Sequence, residues 1–96
     1  MVVFTVERVS SKLDVSALPV VGHDTNPDFG EFDVLAADTI GFEGRFVVAR
    51  VAVLNSVGDE LLVIKGESIA MRLGDTLTTM VAEVARSVGR EDAIES

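Results

Sequence analysis

His23 is the single histidine of the chain, so any imidazole general base or imidazole metal ligand must be built on that one ring. Asp24, Asp28 and Glu31 are the acids near it in sequence, and no HxH or HExxH spacing is present. The string Asp24-Thr25-Asn26-Pro27-Asp28-Phe29-Gly30 carries alternate oxygen ligands, as calcium loops do. Such loops place Gly sixth and a bidentate Glu twelfth, whereas Phe29 and Leu35 stand at those positions and Pro27 stiffens the middle. The string is expected to be an Asx-turn loop whose side chains cap their own backbone, with His23 facing solvent. Ser10, Ser11, Ser16, Ser56, Ser68 and Ser87 lack a G-x-S-x-G context, and neither a Walker A motif nor G-x-G-x-x-G occurs. Without cysteine, thiolate nucleophiles, disulfides, zinc ribbons and iron–sulfur ligation are excluded. The expectation is a protein that is not an enzyme, with no catalytic residue, no metal and no cofactor.

The side chains best placed to bind something are on a β-rich run. Phe46 and Arg50 lie four apart and therefore share a sheet face, with Arg45 before them and Lys65 closing the next run. An aromatic flanked by cations can stack a base, at about 1 to 3 kcal/mol per base, while the guanidinium meets phosphate. The competing reading puts Phe46 in the core and leaves Arg50 snorkelling or ion-paired. Charge distribution opposes a phosphate ligand elsewhere: residues 13–43 hold seven acids and no Lys or Arg, within a total of -8. The remaining segments are close to neutral until the acidic tail Glu91, Asp92 and Glu95.

These groups must be positioned by a small scaffold. Ninety-six residues with 48% apolar and 25% charged side chains make one globular domain, taken as 1–90 with an acidic loop at about 10–30 and a tail at 91–96. Val2 to Arg8 alternates as a strand with one face buried, at the edge of a sheet. From Ser10 to Gly30 the pattern breaks into Ser, Asp, Pro and Gly, with room for one helical turn at Asp14 to Leu18. Phe32 to Ile40 and Arg45 to Leu54 read as a hairpin about Gly41-Phe42-Glu43-Gly44. The second strand is apolar on both faces and is expected at the sheet centre. A turn at Asn55 to Asp59 leads to a third strand, Glu60 to Lys65. Leu73, Leu77, Met80, Val81, Val84 and Val88 then recur at helical spacing, predicting a helix from Thr76 to Ser87 with Asp75 as N-cap and Gly89 as terminator. Ser68 is expected to cap a short turn ahead of it. The fold class is α+β: an antiparallel β-meander, either incomplete or an OB-like barrel, with an N-terminal strand and a C-terminal amphipathic helix.

The stretch FDVLAADTIGFEGRFVVARVAVLNSVGDELLVIKGESIAMRL, residues 32–73, resembles in pattern the core of small OB-type single-stranded-DNA-binding proteins of phages and mobile elements. The resemblance implies strand contacts near Arg45, Phe46 and Arg50, with Lys65 and Arg72 at the groove rim. An acidic C-terminal tail is also similar to the partner-recruiting tails of bacterial single-strand binders. The alternative is a protein-interaction or assembly module, such as a phage structural component or an acidic inhibitor of a basic-cleft protein. In it the exposed edge or the Leu77, Met80, Val84 helix face pairs with another copy or another protein. A domain this small buries little core, which favours self-association into a homo-oligomer. The start lacks a secretory signal and no apolar run spans a bilayer, so a cytoplasmic product without a membrane partner is expected.

Overall fold

Residues 2–10, 18–55 and 60–89 are described in the structure, a computed structural model. The strands are β1 (Val3–Ser10), β2 (Val20–Asn26), β3 (Gly30–Ala36), β4 (Thr39–Ile40), β5 (Phe46–Asn55) and β6 (Glu60–Ser68). One helix follows, α1 (Gly74–Ser87), after 3-10 turns at Phe42–Gly44 and Met71–Leu73. β3, β5 and β6 form the expected antiparallel meander, β1 lies along β6, and the order is β1-β6-β5-β3-β2. The sheet is open rather than closed into a barrel, because β1 and β2 occupy opposite edges. The architecture is α+β, with the single helix laid on one face.

Patterning explains the layers. β5 is central because both its faces are apolar: Val48, Ala52 and Leu54 are buried on the helix side, and Ala49 and Val51 on the far side. Register sets Ala52 beside Val34 and Ile64, and Leu54 beside Leu62. Leu77, Val81 and Ala85 recur every four residues and are fully buried in α1. Val81 and Ala85 pack on a sheet-side cluster that includes Phe32, Val34, Leu54, Leu62 and Ile64. Burying each large side chain of this kind contributes about 1.5 to 3 kcal/mol. Gly66 lets the layers close, since a Cβ there would lie 2.8 Å from a Val81 methyl and 2.9 Å from the Phe4 ring.

The structure departs from the sequence reading at three places. Within the segment read as an acidic loop at 10–30, residues 20–26 are β2, paired antiparallel with β3 through His23↔Asp33 and Thr25↔Glu31. Its apolar alternation is missing because Gly22, Asp24 and Asn26 face the helix, where a methyl, an arginine and a set of carbonyls await them. The helix starts at Gly74, not Thr76, and Asp75 sits in its first turn without capping it. Ser68 does hold the preceding turn, its hydroxyl accepting from the Ala70 N–H at 3.1 Å. Third, β1 is an edge strand as expected, but Phe4 and Val6 stay exposed because α1 packs over β2, β5 and β6. Residues 14–17 of the expected helical turn, 56–59 of the turn after β5 and the tail at 91–96 lie outside the described residues.

Candidate interaction surface

The two sheet edges are built differently. β2 carries a register irregularity between Val20 and Gly22, an ion pair from Asp24 to Arg86 at 3.3 Å, and His23 bonded to Asp33. Irregularity and charge are the usual protections of an edge against further pairing. β1 instead pairs regularly with β6 from Val3 to Ser10, and among the described residues no strand lies along its other side. Its helix-side residues, Phe4 opposite Gly66 and Val6 opposite Ile64, are 38% and 53% exposed.

The helix supplies a second wall. Thr78 lies against Gly22, Arg86 pairs with Asp24, and the end of α1 is tied to Asn26, so this flank faces β2. At 100° per residue, Met80 and Val84 fall on the opposite flank, the one away from β2. Both are half-buried. Phe4, Val6, Met80 and Val84 thus lie on the helix side of the sheet, the two strand residues exposed and the two helix residues half-buried. Of the three helix residues expected to interact, Leu77 is fully buried and belongs to the core.

The proposed nucleic-acid contacts do not form one platform. Phe46 and Arg50 share the helix-side face, and Phe46 is 39% exposed. The Arg50 side chain is only 11% exposed and is held by Asp38 at 2.7 Å, Thr78 Oγ1 at 3.1 Å and its neighbour's carbonyl, Ala49 O, at 2.8 Å. Gly74 permits this seat, since a Cβ there would lie 2.8 Å from the guanidinium. Arg50 therefore joins the β3–β4 break to the start of α1, the ion-paired alternative of the sequence reading. Lys65 sits opposite Val51 and Thr5, on the other face of the sheet, 3.6 Å from Glu67. Arg45 and Arg72 are exposed outside the strands. The five side chains are spread over two faces and the helix entrance, so the groove rim expected of Lys65 and Arg72 does not assemble around Phe46.

Asn26 is the polar residue that sequence reasoning left as turn chemistry. Its Oδ1 accepts from the Asp28 and Phe29 N–H groups at 2.7 and 3.0 Å, the expected Asx turn. Its Nδ2 donates to Ala85 O at 2.6 Å, Val88 O at 2.9 Å and Arg86 O at 3.2 Å. A helix end leaves carbonyls without intrahelical partners, and a buried amide from β2 satisfies them here. This clamp fixes α1 over the sheet and hence the position of the Met80–Val84 flank.

His23 is exposed, as expected, though it lies on a strand. With Asp33, Leu18, Val20, Leu35 and Val53 it borders a far-face groove of about 430 Å³. Its described lining carries the imidazole of His23 and the carboxylates of Glu31 and Asp33 beside apolar side chains. The hydrogen bond from Nδ1 to Asp33 at 2.8 Å raises the imidazole pKa above 6.5, with the charges of Asp33 and Glu31 adding to it and desolvation opposing. A raised folded-state pKa stabilises the fold fully below the unfolded value, and the contribution fades as pH rises through the folded one. In an NMR titration of the single imidazole, the midpoint is expected above 6.5 and Asp33→Asn should lower it. An unchanged midpoint in the variant would remove Asp33 as the cause.

Among the described residues no group of three or more His, Asp or Glu side chains is arranged to hold a metal ion, and no helix is long and apolar enough to cross a membrane. No protein-family model matches the chain, and neither a curated protein nor a solved structure matches it at a significant level. Among its described residues the chain is a small α+β domain, with an open antiparallel sheet covered on one face by α1 and bounded at one edge by the regularly paired β1.

Proposed function

We propose that this protein is a non-enzymatic interaction module that extends its sheet by strand addition at β1. The observation that carries the reading is the pairing geometry of β1: regular along β6, with no strand on its other side among the described residues, and with Phe4 and Val6 exposed. Strand addition takes affinity from the main-chain ladder and specificity from alternate side chains, and the Phe4–Val6 row with the Met80–Val84 flank supplies such sites. The single-strand reading has less support, because Arg50 is engaged by Asp38 and Thr78 and Lys65 faces away from Phe46.

The test titrates two fluorescent probes, a peptide of residues 2–9 and a thirty-nucleotide single strand, into the protein at low and moderate salt. Peptide anisotropy is expected to rise, and Val6→Lys should weaken that binding at least about tenfold, one tenfold step being ~1.4 kcal/mol. Oligonucleotide anisotropy is expected to stay flat. Salt-sensitive oligonucleotide binding without peptide binding would replace this reading with the nucleic-acid one.

A further inference from the structure

The strand that completes β1, the geometry points to, is β1 of a second copy, antiparallel and centred on Val6. This rests on the strand-addition reading and names its partner. Charge distribution favours it first. Asp24, Asp28, Glu31 and Asp33 lie on β2, β3 and their turn, three to four strand spacings or about 14 to 19 Å across the sheet from β1. β1 itself contains one acid and one base, Glu7 and Arg8. Two copies of a chain at -8 that meet through β1 keep their acidic edges as far apart as the fold allows.

Register follows from side-chain parity. Antiparallel pairing about a two-fold axis matches residues of one face only, so the axis passes a single residue: Thr5, Val6 or Glu7 near the middle of the strand. Centring on Glu7 sets two carboxylates directly opposite, which is destabilising. Centring on Thr5 pairs only residues 3–7 of β1. Centring on Val6 pairs residues 3–9 and sets Glu7 opposite the partner's Thr5, with no like charges face to face. Both helices then stand on the same face of one continuous sheet. The Phe4 and Val6 rows of the two copies form the floor between their Met80 and Val84 flanks.

The chain has no cysteine, so single introduced thiols report cleanly. In full-length Val6→Cys the two thiols meet across the axis, with Cβ atoms about 5 Å apart. In Val3→Cys they lie six residues apart along the ladder, about 20 Å. Both positions are exposed in the free chain. A short bis-maleimide is expected to give a covalent dimer with Val6→Cys and at least about fivefold less with Val3→Cys. Light-scattering mass of the unmodified chain should rise toward twice 10.2 kDa with concentration. Folded Val6→Lys, checked by its thermal transition, should remain at monomer mass. A monomer at every concentration, or equal crosslinking at both positions, overturns the proposal. If the chain stays monomeric while the residue 2–9 peptide still binds, self-pairing falls and strand addition stands. If neither associates, both fall.

Discussion

Asn26→Leu is expected to destabilise the fold by about 2 to 4 kcal/mol, more than any other single polar substitution in the described residues, because one amide serves five backbone groups. Asn26 is 1% exposed, and leucine has the same number and branching of side-chain heavy atoms, so the loss reports the missing hydrogen bonds together with the fit of two bulkier methyls, and no cavity. Unpaired carbonyls at Ala85 and Val88 and unpaired N–H groups at Asp28 and Phe29 would remain in a partly buried setting. For a domain of this size the midpoint of thermal unfolding should fall by roughly 10 to 25 °C. Asn26→Asp separates the two halves of the clamp, because a carboxylate keeps the acceptors and loses the donors. Its oxygens would face three carbonyl oxygens while buried, which raises the folded-state pKa of the new carboxyl. Stability of Asn26→Asp should therefore fall as pH rises through the ordinary carboxylate range, whereas Asn26→Leu should show no such added dependence. A loss below about 1 kcal/mol for Asn26→Leu in urea unfolding would mean that water replaces the clamp.

The second large effect is expected at Leu77. Truncation to alanine removes a fully buried side chain from between α1 and the sheet, at about 2 to 5 kcal/mol. Met80→Ala and Val84→Ala, half-buried on the flank, should each cost less, about 1 kcal/mol or below. Charged substitutions invert the order for association: Met80→Lys and Val84→Lys should weaken pairing of the folded chain while leaving most of its stability. Denaturation and light scattering on the same samples separate the two. Equal stability losses at all three positions would mean that the flank is as buried as the core and is not available to a partner.

The sequence made the meander legible because β5 and β6 carry their burial in their own residues: Val, Ala and Leu on alternate positions, with turn residues between. The C-terminal helix was legible for the same reason, through Leu77, Val81 and Ala85. β2 was not legible, because its helix-side positions Gly22, Asp24 and Asn26 are complementary to a methyl, a guanidinium and three carbonyls on α1, more than 50 residues away. Periodicity detects hydrophobic partners, not polar ones. The start of α1 was misplaced because Gly74, a poor helix former, is kept there to admit Arg50. For the interaction surface, Met80 and Val84 could be read from spacing, whereas Leu77 has the same spacing and is core. Only the position of the helix relative to β1 separates them. Phe4 and Val6 read as a buried face, since nothing in β1 signals that α1 stops short of it.

β1 also has a distinct place in time. Its ladder joins Val3 to Glu67 and Ser10 to Glu60, so the pairing closes loops of 50 residues or more, whereas β5 ends and β6 begins within five residues of each other, at Asn55 and Glu60. Closing long loops is entropically costly until the rest of the sheet is present to receive the strand. The local β5–β6 and β2–β3 pairings are therefore expected to form early, and β1 to dock once β6 is in place. By the same ordering, β1 is expected to be an early strand to detach when the fold is stressed. A chain whose β1 has detached exposes β6 as well, so brief heating at high concentration offers a route to copies that exchange β1 strands instead of pairing them edge to edge.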